Sequence, residues 1–207
     1  MAHSTYMDEF ISIEIRSQSI RDQEGNMFIP VILGTAREGR QSEKAARFML
    51  QKALDAGLES EVLDVRDYRI AATDNTEKSP EAERLAEKAR RADGFIIVSP
   101  EYNHGYPGEL KMMLDMLVSH YASKPVGICG VSSGAWGGAR MVEQLRLVCL
   151  ALHMLPVGEA VYFPRVQELF DGEGRFTGRS QHGQAERLLS ELITSARGMR
   201  ASRESRE

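Results

Sequence analysis

From residue 28 onward the chain alternates short apolar runs with longer stretches of helical periodicity, and this alternation limits its fold more than any other feature. Residues 28–33 (FIPVIL) form a continuous apolar run stopped by Gly34, the pattern of a strand buried on both faces. Ser42 opens a helical segment in which Ala45, Ala46, Phe48, Met49, Ala53 and Leu54 recur at helical spacing, and Gly57 ends it. The two patterns then repeat, with strands predicted over 61–65, 94–98, 125–131 and 155–163 and helices over 80–92, 108–119, 139–152 and 181–196. Strands separated by helices of this length imply βαβ units, hence an α/β fold with a parallel sheet and helices on both faces. Right-handed crossovers leave few topologies for five strands, and the expected one is a doubly wound sheet in the order 2-1-3-4-5. That order creates a switch point between strands 1 and 3, where ligands bind beyond the carboxyl ends of the strands.

Composition bounds the rest. At 207 residues, 42% apolar and 27% charged, the chain can bury a sizeable core, read here as one domain over 28–196. A formal charge of −4 argues against binding nucleic acid through a basic face. The longest apolar stretches are too short to span a membrane. Residues 1–27 read as an N-terminal extension, whose alternating Ile11, Ile13 and Ile15 suit an added strand or an arm. That segment has no continuous apolar core of a secretory signal. The Arg/Ser/Glu-rich tail over 197–207 is expected to fray. Cys129 and Cys149 lie inside apolar runs and read as small buried hydrophobes of a reducing compartment. With no C-x-x-C and no Cys/His cluster, no metal site is expected. The expected location is the cytoplasm.

Three of the predicted loops are unusual. After strand 1 come Gly34, Thr35, Ala36, Arg37, Glu38, Gly39, Arg40, Gln41 and Ser42: two glycines, two hydroxyls and two arginines at a helix start. Backbone N–H groups, the positive helix end, hydroxyls and guanidinium groups together suit a phosphate. The lysine of a P-loop and the third glycine of a Rossmann fingerprint are both missing. The loop after strand 3 runs from Ser99 to Gly108 and holds two tyrosines between rigid prolines, which suits a flat heterocycle. The loop after strand 4, from Ser132 to Gly138, is small and Gly-rich and lets backbone approach a ligand closely. In the 2-1-3-4-5 order all three lie on one rim.

The motifs G-T-A-R-x-x-R-x-S, S-P-E-Y-N-H-G-Y-P-G-x-L-K-x-x-x-D and S-S-G-x-x-G-G-A-R resemble those of the NADPH-dependent FMN reductase family, over about residues 28–195. The resemblance implies a flavodoxin-like fold and a reductase of flavins, quinones, azo dyes or metal oxyanions. It implies FMN as cofactor and NADPH or NADH as hydride donor. By it, Thr35, Arg37 and Ser42 hold the FMN phosphate. Pro100, Glu101, Tyr102 and Asn103 line the isoalloxazine, and Ser132, Ser133 and Gly134 border its other side. The chemistry belongs to the flavin, so no catalytic side chain is expected. A flavodoxin-type electron carrier and a flavin-sensing regulator share these features and stand as alternatives.

Association is expected as well. Leu110, Met113, Leu114 and Leu117 form one stripe of the helix over 108–119, while Met112 and Met116 add apolar surface opposite. The helix over 139–152 repeats this, with Leu147, Leu150 and Ala151 outside its main stripe. These two helices are the predicted contact of a homodimer or homotetramer, with a small-molecule electron acceptor as the other partner. If the sheet covers one face of the flavin, donor and acceptor use the other in turn, and the expected kinetics are ping-pong.

Overall fold

The structure, a computed structural model, describes residues 27–73, 76–173 and 175–204. The N-terminal extension with its Ile11, Ile13 and Ile15 alternation, up to residue 26, and the tail over 205–207 lie outside the described residues. Five strands, β1 (Val31–Leu33), β2 (Val62–Asp64), β3 (Phe95–Pro100), β4 (Pro125–Val131) and β5 (Leu155–Phe163), alternate with five helices. The helices are α1 (Ser42–Asp55), α2 (Pro80–Arg91), α3 (Gly108–Asp115), α4 (Ala139–Ala151) and α5 (Ser180–Glu204). Two short 3₁₀ turns follow β2 (Val65–Tyr68) and β5 (Val166–Glu168). Every strand pairs in parallel, in the order β2-β1-β3-β4-β5. This is the predicted doubly wound sheet.

Because successive residues of a strand face opposite sides, the buried strands feed two cores. Ile32, Ile97 and Ile128 point to one, shared with α2, α3 and α4; Leu33, Val98 and Cys129 point to the other, shared with α1 and α5. Local chemistry sets the ends of elements. Ser79 Oγ accepts from the Ala82 N–H at 3.1 Å and Pro80 takes the first helical position, so α2 starts with both preferred residues. Strand β1 is shorter than the apolar run 28–33, because Pro30 cannot donate to the ladder. Phe28 instead bridges singly to Glu59.

Two predicted boundaries are corrected. The helix expected over 108–119 ends at Asp115, and a tightened turn follows, with Met116 N–H to Met113 O and Leu117 N–H to Leu114 O at 3.4 Å. An i→i+3 turn keeps the apolar spacing while rotating the chain, so Met116 and Leu117 both enter the protomer core. Met116 is therefore not an outward-facing contact residue. The helix expected over 181–196 runs to Glu204 instead of fraying at Arg197. Its end is held by ion pairs from Arg200 and Arg203 to Asp93, and Arg203 also donates to Ser123 O at 3.0 Å.

Candidate functional site

The loops after β1, β3 and β4 meet at the carboxyl end of the sheet, with the 3₁₀ turn after β5 closing a fourth side. They enclose a cleft of about 370 Å³, within the size range of small-molecule sites. Of the residues singled out in the sequence, Arg37, Ser42, Pro100, Glu101, Tyr102, Ser132 and Ser133 line it. Thr35 lies fully buried beneath, Asn103 is exposed on its loop, and Gly134 stands outside the lining.

The loop after β1 leads into α1. Thr35 Oγ1 stands 3.0 Å from the Tyr102 hydroxyl and accepts from the Arg37 N–H at 3.3 Å, which ties the first loop to the second. The Arg37 guanidinium sits 5.5 Å from the centroid of the Tyr102 ring. Ser42 is the first residue of α1, preceded by Gln41 as N-cap without a side-chain cap bond. The Ser42 hydroxyl is buried with no hydrogen-bond partner in the protein. A buried polar atom without a partner is costly, and this one lies where helix N–H groups gather positive potential. Arg40, the second arginine of the motif, also lines the cleft, and its buried Nε makes no hydrogen bond but lies 3.5 Å from Glu43 Oε2. It turns under the loop, donating to Thr35 O at 2.5 Å and to both oxygens of Asp64.

The loop after β3 folds into a tight turn in which Tyr102 and Gly105 exchange backbone hydrogen bonds at 2.8 and 3.0 Å. Asn103 and His104 occupy left-handed backbone, φ 51° and 68°, as the two central residues of such a turn require. Just after β3, the Glu101 Oε1 accepts from Arg140 Nε at 2.7 Å and forms an ion pair with Nη2 at 2.6 Å. Its Oε2 is buried without a partner. The cleft thus presents one unpaired hydroxyl and one unpaired carboxylate oxygen at different points of its wall.

The loop after β4 is pinned to β5, with Ser132 N–H to Phe163 O at 3.1 Å, Ser132 Oγ to Gly134 O at 3.0 Å and Gln167 Nε2 to Ser133 O at 3.4 Å. Gly138 has φ 84°, and a Cβ there would come within 2.8 Å of Val131 N, so only glycine lets the loop fold back on β4. Sequence reasoning missed four contributors. Val166 and Gln167 of the short 3₁₀ turn carry no motif. Asp64 ends β2 and Arg66 stands in the 3₁₀ turn that follows, and the parallel register Leu33 to Asp64 is what carries them beside the first loop. Burial works against a charged Asp64, yet the hydrogen bonds from Arg40 and the Arg66 N–H outweigh it and hold this carboxyl below its usual range. Among the described residues, no group of His, Cys, Asp and Glu could hold a metal ion, and no helix is long and apolar enough to cross a membrane.

The sequence profile of the NADPH-dependent FMN reductase family matches residues 27–168. The chain belongs to this family. A quinone reductase of Pseudomonas putida is 30% identical over 162 residues, covering 74% of this chain and 86% of that protein. An NADH:(hydroxy)cinnamate reductase subunit of Vibrio ruber is 30% identical over 172 residues, covering 78% and 83%. Among solved structures, the flavoenzyme NAD(P)H:(acceptor) oxidoreductase of Paracoccus denitrificans superposes with a TM-score of 0.65 at 22% identity, covering 84% of this chain and 98% of that one. A flavodoxin from Pseudomonas aeruginosa superposes at 0.55 with 17% identity, covering 83% and 99%. The fold is flavodoxin-like, and as a member of the FMN reductase family the chain is an oxidoreductase.

Proposed function

We propose that the cleft holds FMN and that the protein passes electrons from NADPH or NADH to a small-molecule acceptor of the quinone, flavin, azo or metal-oxyanion type. The observation that carries the reading is the buried, unpaired Ser42 hydroxyl at the start of α1, inside a cleft built from three loops. A phosphate oxygen satisfies that hydroxyl, and the helix N–H groups and the Arg37 guanidinium stabilise its charge. Thr35 holds the loop in place through Tyr102. Pro100, Glu101, Tyr102 and Asn103 flank the ring, with Ser132, Ser133 and Gly134 on its other side. The unpaired Glu101 oxygen accepts a hydrogen bond from the ligand. Bound FMN supplies the redox chemistry, and the side chains supply position and charge.

The sheet end closes one side of the cleft, so donor and acceptor reach it through one opening in succession. Reciprocal plots at several acceptor concentrations are then parallel. Association rests on α4: Leu147 is 69% exposed and Leu150 54%, one helical turn apart. Two exposed leucines on one helix face favour a second copy of the chain, as a homodimer or homotetramer. The purified protein is expected to bind FMN at micromolar concentration and to lose flavin absorbance on anaerobic addition of NAD(P)H. Protein that takes up no FMN overturns the reading. Protein that binds FMN and accepts electrons only from another protein is a carrier instead.

A further inference from the structure

Three consecutive carbonyls of the first loop are tied down from the β2 side. Arg40 Nη1 donates to Thr35 O at 2.5 Å, Arg66 Nε to Ala36 O at 3.1 Å and Arg66 Nη2 to Arg37 O at 2.7 Å. Asp64 holds both donors in place, accepting from Arg40 Nη1 at 2.7 Å and from the Arg66 N–H at 3.0 Å. In a trans peptide the carbonyl and the next N–H point in opposite directions. Fixing Ala36 O and Arg37 O toward β2 therefore turns the N–H groups of Arg37 and Glu38 the other way. The Arg37 N–H meets Thr35 Oγ1. Glu38 and Gly39 line the cleft, and Gly39 takes the left-handed backbone, φ 64°, that lets successive N–H groups converge. Were these peptides free to rotate, carbonyl oxygens would face the anion and repel it.

We infer that Arg66, braced by the Asp64–Arg40 pair, is a positioning residue that sets the cleft's affinity for the phosphate of its ligand. The inference rests on the FMN reading and deepens it, since Arg66 touches only backbone carbonyls and acts through the peptides they belong to. Arg66 is exposed, and exposed charged contacts contribute little to folding. Its removal is thus expected to be felt in ligand choice and not in stability. One guanidinium bridges two carbonyls, a geometry that a lysine ammonium cannot reproduce.

The test compares FMN with riboflavin, which has the same ring and no phosphate, by titration of flavin fluorescence against the full-length protein. Wild type is expected to prefer FMN strongly. Arg66→Ala is expected to weaken FMN binding about tenfold, as the loss of one charge-assisted hydrogen bond from a turned loop N–H to the phosphate implies, while riboflavin affinity and the thermal midpoint stay unchanged. Arg66→Lys is expected to restore only a small part of the preference. Equal weakening of both ligands would assign Arg66 a general structural role and overturn the inference. An unchanged FMN preference in Arg66→Ala, or its full recovery in Arg66→Lys, also overturns it, with the FMN reading left standing. A wild type that binds both ligands alike removes the phosphate cradle itself and fails both.

Discussion

Both ends of the sheet carry a charged cavity, and the two differ in how completely their polar groups are paired. At the amino end a broad bowl of about 610 Å³ is lined by Arg90, Arg91, Lys124, Arg200 and Arg203 against Glu59 and Asp93. Its charges hold one another: Asp93 takes Arg200, Arg203 and the Phe28 N–H, Arg91 meets Glu59 and covers the Phe28 ring, and Lys124 donates to Ala89 O and Arg90 O at the end of α2. His120 Nδ1, which lacks a hydrogen bond, lies 3.6 Å from the Glu77 carboxylate. The carboxyl-end cleft is smaller, about 370 Å³, yet it leaves Ser42 Oγ and Glu101 Oε2 buried and unpaired. Cavity size and charge density thus favour the end opposite the proposed FMN cleft. The two ends differ in kind: among the described residues, the bowl's one buried side-chain atom without a hydrogen bond, His120 Nδ1, faces a carboxylate, whereas Ser42 Oγ and Glu101 Oε2 have no hydrogen-bond partner in the protein.

If the comparison holds, substitutions at the two ends act on different observables. At the cleft, Ser42→Ala or Arg37→Ala is expected to weaken FMN binding ten- to a hundredfold, since a hydrogen bond to a charged group contributes about 1.5–3 kcal/mol. Stability is expected to hold or rise without FMN, because Ser42→Ala removes a buried hydroxyl that has no protein partner. Fluorescence titration and thermal unfolding read the two effects separately. At the bowl, Asp93→Ala should do the reverse. It strips two arginines and the Phe28 N–H of their partner and is expected to cost about 2 kcal/mol of stability. FMN affinity is expected not to change. A large loss of FMN affinity in Asp93→Ala would couple the two ends and break the distinction.

A third substitution concerns neither cavity. Leu147→Glu with Leu150→Glu places charge on the exposed face of α4 and is expected to convert an oligomer to a monomer that still folds, as read by light scattering. Met116→Glu, on a face that the sequence pattern alone would assign to the same contact, is expected to unfold the protomer instead, because Met116 is 4% exposed. A wild type of monomer mass counters the association.

The sheet was legible because β1, β3 and β4 are buried apolar runs stopped by Gly, Pro or a polar loop, and the edge strands β2 and β5 follow helices of the length that parallel crossovers need. The cleft was partly legible for the same reason: topology puts three loops on one rim, and each loop has unusual composition. What stayed hidden depends on long-range contacts. The brace from Asp64 and Arg66 comes from strand register, and nothing in the local sequence distinguishes these two from other surface charges. The last turns of α5 look polar and frayed, yet Asp93, more than a hundred residues earlier, holds them. Met116 shows the opposite failure, in which a helical period continues through a turn that is no longer an α-helix.

The smallest expected effect is also the one that tests the bowl as a latch through pH. Lys124 is almost fully buried, at 5% exposure. Burial, with the nearby Arg203 charge, pushes its pKa down to about 8, and Asp93 offsets only part of this. In the unfolded chain the same amine titrates at its ordinary value of about 10.4. Below about pH 8 it is charged in both states and its desolvation opposes folding fully. Between the two values the unfolded chain binds more protons, so this group makes stability rise with pH, and above both its contribution levels off. The buried thiols do not share this window, since burial pushes Cys149 up to about 12 and Cys129 higher still. Lys124→Met removes the titrating group and its bonds to the end of α2, so it is expected to flatten the rise in urea midpoint between pH 8 and about 10. FMN affinity is expected to be the same in both proteins at each pH, because the amine lies at the end of the sheet opposite the cleft. Identical pH slopes in wild type and Lys124→Met would show that the amine stays hydrated, and that the bowl is open to water and not a closed set of internal pairs.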